Sequence, residues 1–248
     1  MKFDIVTIFP RMVEAGLAEG VVSRGIERGL VDVQVYDLRD YTADRHRSVD
    51  DVPYGGGPGM VMKPEPLARA VDAIRARRGA PEAVVLLSPQ GRPFTQAEAV
   101  RLSRLPHLVL LCGRYEGVDE RVRTAVATDE LSIGDYVLSG GELAALVVVD
   151  AVSRLIPGVV GDARSVEEES FSRGLLDYPH YTRPPEFAGQ AVPGVLLSGH
   201  HEEVRRWRKK TALRRTLERR PELLTSAALD DEERAMLQEI RNEQEREP

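Results

Sequence analysis

Residues 107–117 read HLVLLCGRYEG. An aliphatic run without alternation stops at a polar, glycine-containing loop. Such a run suits a strand covered on both faces, as in the parallel sheets of α/β proteins. FDIVTIF (3–9) and EAVVLLS (82–88) resemble it, VDVQVYDL (31–38) alternates cleanly, and TDELSIG (128–134) is a weaker strand. Helical stretches separate them. These cover 11–29, 64–76 with a proline near its start, 95–105, 119–126 and 140–155. Thr95 and Glu98 form the pattern of a capping box. The turn PQGRP (89–93) follows the third strand run. Alternating strands and helices predict an α/β fold with a mostly parallel sheet covered on both faces.

The character changes at IPGVVGD (156–162). From 161 to 197 the chain is dotted with proline and glycine and predicts an inter-domain linker. Helices are expected from Ser198 to the end, with Ser198 capping the first. Asp230 and Glu233 form a capping box for the last, whose apolar face is Met236, Leu237 and Ile240. The expected organisation is an α/β domain over 1–160, a linker over 161–197 and a smaller helical domain over 198–248. In 201–220, Val204 and Trp207 fall nearly opposite Leu213 and Leu217 on a straight helix, so this segment kinks or packs on two sides.

Of the 248 residues, 42% are hydrophobic and 30% charged, a composition able to bury a sizeable core. The single cysteine, Cys112, excludes an internal disulfide and a Cys-based zinc cluster. No apolar stretch reaches the roughly 18 residues of a membrane span, and the N-terminus is a poor signal peptide. A cytoplasmic protein with no membrane partner is expected. The net charge of −6 hides an asymmetry: residues 205–220 carry nine Lys/Arg and one acid, and 230–248 carry eight acids and three arginines. Phosphate contacts are local, so the basic stretch is a candidate nucleic-acid surface.

Several familiar motifs fail. GGGPGM (55–60) places Met60 where a dinucleotide fingerprint needs its third glycine, and no Gly-Lys-Ser/Thr follows for a P-loop. His201-Glu202 lacks the second histidine of a zinc protease. What remains is three loops at the carboxyl ends of expected strands: SPQG (88–91), CGRYEG (112–117) and SIGDYVLSGGE (132–142). Ligands of open parallel sheets bind there. These loops offer backbone groups rather than clustered cations, which suits a nucleoside better than a triphosphate. EEE (167–169) is read alone as a solvated charge run.

GRYEG, SIGDYVLSGGE, DAVSRLIPGV, the SF of EEESF, GLLDYPHYTRP, SGHHEEVRRWR and RRPELL resemble, in order and spacing, the bacterial tRNA (guanine-N1)-methyltransferases of the SPOUT superfamily. The resemblance runs from the N-terminus to about residue 224. It implies a deep trefoil knot in the α/β domain, a homodimer with shared active sites, and S-adenosylmethionine bound in the knot. It implies methylation of N1 of guanosine 37, 3′ to the anticodon, when another guanosine precedes it. The cofactor positions it implies are Leu87, Ser88, Pro89 and Gly91 in the first loop, and Gly113, Tyr115 and Glu116 in the second. In the third loop they are Ile133, Gly134, Asp135, Tyr136, Val137, Leu138, Gly140 and Gly141. Arg154 matches the family's catalytic arginine. The family's general base is an aspartate immediately before Ser-Phe; here that residue is Glu169, which keeps the carboxylate but extends it by about 1.5 Å. Glu167 and Glu168 remain solvated in this reading. Ser165, Arg205, Arg208, Lys209, Arg214 and Arg215 are the expected tRNA contacts. Mg²⁺ assistance is implied by the family, although no ligand cluster in the sequence establishes a metal site. Two alternatives stay open: methylation of a ribose 2′-hydroxyl, and a non-catalytic RNA-binding dimer.

Overall fold

The computed structural model describes residues 1–162 and 169–246. Its first part runs β1 (Lys2–Thr7), α1 (Pro10–Leu17), α2 (Gly20–Glu27), β2 (Asp32–Asp37), β3 (Asp50–Asp51), β4 (Val61–Met62) and α3 (Pro64–Arg78). It continues through β5 (Ala83–Pro93), α4 (Gln96–Ser103), β6 (His107–Cys112), α5 (Glu120–Ala125), β7 (Asp129–Ser132) and α6 (Glu142–Ser153). Five strands form one sheet in the order β2-β1-β6-β5-β7, and every neighbouring pair is parallel. β3 and β4 pair separately as a small antiparallel ribbon.

The unbroken aliphatic runs have the cause expected of them. On β5, Ala83, Val85 and Leu87 join the core on one face, and Val84 and Leu86 join the core on the other. On β6, Leu108, Leu110 and Cys112 alternate in the same way with Val109 and Leu111. The period of two is present, but both faces are covered, so both phases are apolar. One face carries Val13 and Leu17 of α1, Leu102 of α4 and the buried side of α6; the other carries Leu67, Val71 and Ile74 of α3 and Val122 of α5. Cys112 sits in this core, and burial pushes its thiol well up, as befits an inert small hydrophobe.

Asp4 is a buried exception on β1. Its carboxylate meets His107 Nε2 at 2.5 Å and Arg78 Nε at 2.9 Å. A carboxylate taken out of water needs such partners, and these tie the end of α3 to the amino-terminal side of the sheet.

The expected turn at 89–93 is only partly a turn. Leu87 pairs with Leu131, the chain bulges out over Ser88–Gly91, and Arg92 returns to the same Leu131 partner, followed by Pro93 opposite Ser132. The strand therefore resumes after the loop.

The chain divides into two units, Met1–Ala163 and Arg164–Pro248. The second contains the ribbon β8 (Glu186–Phe187) and β9 (Gln190–Ala191), then α7 (Gly194–Leu197), α8 (His201–Arg219) and α9 (Asp231–Gln244). Part of the stretch read as a linker thus belongs to this unit. Leu175, Leu213, Met236 and Ile240 form its core. The capping box of α9 is present, with Asp230 accepting from Glu233 N and Glu233 accepting from Asp230 N. Ser198 is not an N-cap: it follows α7, and His200 precedes α8 without a side-chain cap. α8 packs on two sides, with Leu213 in the core and Trp207 beside Tyr181 at 6.3 Å between rings. Among the described residues no helix is long and apolar enough to cross a membrane.

Candidate active site

Because the five strands are parallel, the loops after β6 and β7 and the bulge of β5 lie at one edge of the sheet. A cleft of about 50 Å³ opens between the bulge of β5 and the loop after β7. Its wall includes Leu87, Ser88, Pro89, Ile133, Gly134, Tyr136, Leu138, Gly140 and Gly141 of the expected cofactor residues. It also includes Ser132, the first residue of the third candidate loop, and Leu131 and Ala144, which sequence reading assigned only to a strand and a helix. No charged side chain lines it. Its walls are apolar with backbone amides and carbonyls, and they offer no cation for a phosphate.

The remaining expected cofactor residues are outside the cleft wall. Asp135 and Val137 are exposed on the tip of the third loop. Tyr115 makes the bend of the second loop at φ 61°, and Glu116 N donates to Met60 O at 3.0 Å. The glycines divide by cause. A Cβ at Gly91 would overlap the backbone of Leu131, one at Gly140 would overlap Arg114, and one at Gly141 would come within 2.8 Å of Cys112 Cα. The protein's own packing demands these three. Gly113 differs: the nearest atoms to its Cβ position, Leu87 O and Val118 Cγ1, are 3.7 Å away. Its carbonyl accepts from Gly141 N at 2.9 Å, so the β7–α6 connection reaches the end of β6.

Arg154 caps the C-terminus of α6. It lies on the stripe of that helix that carries Leu143, Val147 and Asp150, all exposed. Leu143 and Val147 are 47% and 44% exposed, and Phe9 and Met12 at the start of α1, a helix packed against α6, are 44% and 39% exposed.

Glu169 belongs to the second unit and lies half-buried on the wall of a pocket of about 310 Å³. Asp177, Tyr178, His201, Arg208 and Lys209 share that wall. The segment carrying Glu169 is held from several sides. Ser172 Oγ donates to Glu169 O at 2.5 Å, Asp177 N to Ser170 Oγ at 2.9 Å, and Leu176 N to the buried Thr216 Oγ1 of α8 at 2.9 Å. Arg173 reaches the buried Glu233 carboxylate at 2.9 Å. Phe171 takes φ 73°, a left-handed conformation that bulky residues rarely adopt. Ser165, Glu167 and Glu168 lie outside the described residues.

The basic helix is partly neutralised. Arg205 bonds Glu202 and Glu232, Lys209 bonds Asp230 and Glu232, and Lys210 bonds Glu239 and Glu243. Arg214 meets Glu243 at 2.5 Å. Bonds from Arg205 and Lys209 pull the Glu232 carboxyl down to about 2. The two charge blocks of the sequence are therefore partners across α8 and α9. Arg208 and Arg215 make no ion pair among the described residues. Arg208 lies over the Tyr178 ring at 4.9 Å, and Arg215 points at Asp177 O at 3.5 Å. Among the described residues no group of three or more His, Cys, Asp and Glu could hold a metal ion.

The family described as tRNA (Guanine-1)-methyltransferase TrmD matches residues 1–226. Three relatives carry the name tRNA (guanine-N(1)-)-methyltransferase. The protein of Pelotomaculum thermopropionicum is 58% identical over 241 residues, covering 97% of this chain and 96% of its own. That of Geobacter metallireducens is 54% identical, covering 97% and 98%. That of Halalkalibacterium halodurans is 51% identical over 246 residues, covering 99% and 100%. With the family matched over most of its length, the chain belongs to the tRNA (guanine-N1)-methyltransferase family.

Proposed function

We propose that this protein transfers a methyl group from S-adenosylmethionine to N1 of guanosine 37 of tRNA, next to the anticodon and preceded by guanosine. In this reading the first unit binds the cofactor and the second binds the tRNA, in a bacterial cytoplasm. The observation that carries it is Glu169. Its carboxylate stands where the family has an aspartate, on the wall of a pocket within the roughly 300–1,000 Å³ range of small-molecule sites. The neutral cleft of the first unit supports the cofactor assignment.

Guanine N1 carries a proton and is a poor nucleophile at neutral pH. Glu169 takes that proton as general base. Negative charge then collects on guanine O6, where the Arg154 guanidinium donates. When bound, S-adenosylmethionine supplies the methyl as a sulfonium electrophile. The loops at the sheet edge hold it and exclude water. The target base leaves the anticodon-loop stack to be reached. Mg²⁺, implied by the family, would need only one or two carboxylates beside substrate phosphates; among the described residues no cluster of three or more such side chains builds a dedicated site.

The subunit is read as half of a homodimer. Arg154 shares its stripe with exposed Leu143 and Val147, an arrangement that suits a second subunit completing the site. The knot that the family implies would involve the β7–α6 connection, which meets the end of β6 through Gly141 N and Gly113 O.

Methyl transfer to unmodified tRNA, with nucleoside analysis of the product, tests the reading. 1-Methylguanosine at position 37 is expected. A 2′-O-methylated nucleoside, or binding without transfer, would replace it with one of the two alternatives.

A further inference from the structure

Glu142 is a fully buried carboxylate that takes no part in the chemistry above. It is the first residue of α6, and its two oxygens are both used. Oε1 accepts from Thr7 Oγ1 at 2.7 Å, and Oε2 accepts from Arg114 Nε at 2.9 Å. Thr7 ends β1, and its Oγ1 also accepts from Phe9 N at 2.9 Å. Arg114 follows β6, and its Nη1 donates to Ser139 O at 3.1 Å and Ser139 Oγ at 3.2 Å. Its guanidinium lies 4.5 Å from the centre of the Phe9 ring. One carboxylate therefore joins the ends of two adjacent strands to a helix start and, through a single arginine, to the third loop.

The place where the arginine arrives is what matters. Ser139 sits between Leu138 and Gly140, both on the cleft wall. Gly140 lies so flat on the Arg114 side chain that no Cβ fits between them. The preceding loop tip, Asp135–Val137, is exposed. A pin serving stability alone would need only Glu142 with Thr7 and Arg114 Nε. The second arm of the guanidinium reaches past the core to an exposed loop whose backbone shapes the cleft.

We propose that Arg114, oriented by Glu142, is a positioning residue that pre-forms the cofactor loop before ligand arrives. The inference rests on the reading of the cleft as the S-adenosylmethionine site. The planar guanidinium holds Glu142 through Nε and Ser139 through Nη1 at the same time, two separated donors in one rigid frame that the single nitrogen of a lysine does not reproduce. A loop set in its bound shape binds more tightly because less ordering remains to be done.

Calorimetric titration of the full-length protein with S-adenosylmethionine tests this with R114K, E142Q and S139A. R114K and E142Q should weaken cofactor binding about tenfold, and S139A about threefold. tRNA affinity without cofactor should stay within about twofold, and KM for the cofactor should rise more than kcat falls. Cofactor affinities within about twofold of wild type in R114K and S139A, with only the melting temperature lowered, would reduce the pair to a structural pin. Should R114K fail to fold, the exposed Ser139 substitution decides alone. A wild-type protein that takes up no S-adenosylmethionine would instead overturn the reading of the cleft, and the inference with it.

Discussion

Gly113 and Gly141 face each other across one hydrogen bond and answer to different demands. Gly141 packs on the backbone of β6, so Gly141→Ala must push two main chains apart and should cost about 1–3 kcal/mol of stability. Gly113 has room for a methyl group within the protein. Gly113→Ala should leave thermal stability within about 1 kcal/mol of wild type, and it should weaken S-adenosylmethionine binding if the cofactor reaches the second loop, as the family resemblance implies. Thermal melts with and without cofactor separate the two. If Gly113→Ala binds cofactor normally, the second loop does not touch it. At Glu169, Gln keeps the shape and loses the base. A fall of roughly 10²-fold or more in single-turnover methyl transfer is expected, with cofactor affinity unchanged. Asp, the residue of the family pattern, should retain substantial activity, and transfer at the wild-type rate by the Gln variant would remove Glu169 from the chemistry.

Among the elements, α8 presents two kinds of cation. Arg205, Lys209, Lys210 and Arg214 face the carboxylates of α9 and its cap, so a phosphate approaching them meets a nearly neutral surface. Arg208 and Arg215 lie on another face, beside Tyr178 and Asp177. Replacing both by Ala should flatten the salt dependence of tRNA binding by about 1.5–2 in the log–log slope. Replacing Arg205 and Arg214 should change it little, and equal effects from the two pairs would mean that α9 yields its carboxylates when RNA binds. A second element-scale test lies at β7. Burial pushes the Asp129 carboxyl up, but bonds to Arg92 at 2.7 Å and Arg101 at 2.5 Å outweigh it and hold the group below its usual range. A depressed folded value means stability that is fully present above the unfolded carboxylate range and lost as pH falls through the folded value. Asp129→Asn should therefore cost about 2 kcal/mol at pH 7 and nothing once wild-type Asp129 is itself protonated. Denaturant midpoints of both proteins, followed from pH 7 down through the acid range, check that the difference closes as pH falls.

At the level of the whole molecule, Leu143, Val147, Phe9 and Met12 are apolar surface on adjoining helices. The double substitution Leu143→Glu with Val147→Glu should yield monomers by sedimentation and abolish methyl transfer. A fully active monomer would end the dimer reading. Subunit mixing then tests whether sites are shared. If Arg154 of one subunit works with Glu169 of the other, mixing inactive R154A and E169Q proteins regenerates one intact site per heterodimer. About a quarter of wild-type activity should return in a random mixture, whereas sites made within one subunit would leave the mixture dead.

Local pattern carried a good deal of this protein. The runs at 3–9, 82–88 and 107–113 announced central parallel strands because burial on both faces leaves no room for a polar phase. Thr95 and the Asp230–Glu233 box announced helix starts because a cap is a bond between residues three apart. The three glycine loops were visible as loops, and residues of the first and third meet at one cleft, while the second contributes none to its wall. Their reason for being glycine was not visible. Gly91 answers to Leu131, Gly140 to Arg114 and Gly141 to Cys112, partners that only packing brings near. The return of β5 at Arg92 depends on β7, and the quieting of the basic helix depends on carboxylates some 20 to 30 residues further along the chain. Burial period and capping are written within a few residues. Which distant groups come within hydrogen-bond reach is settled by the summed packing of the chain, and no short stretch records that sum.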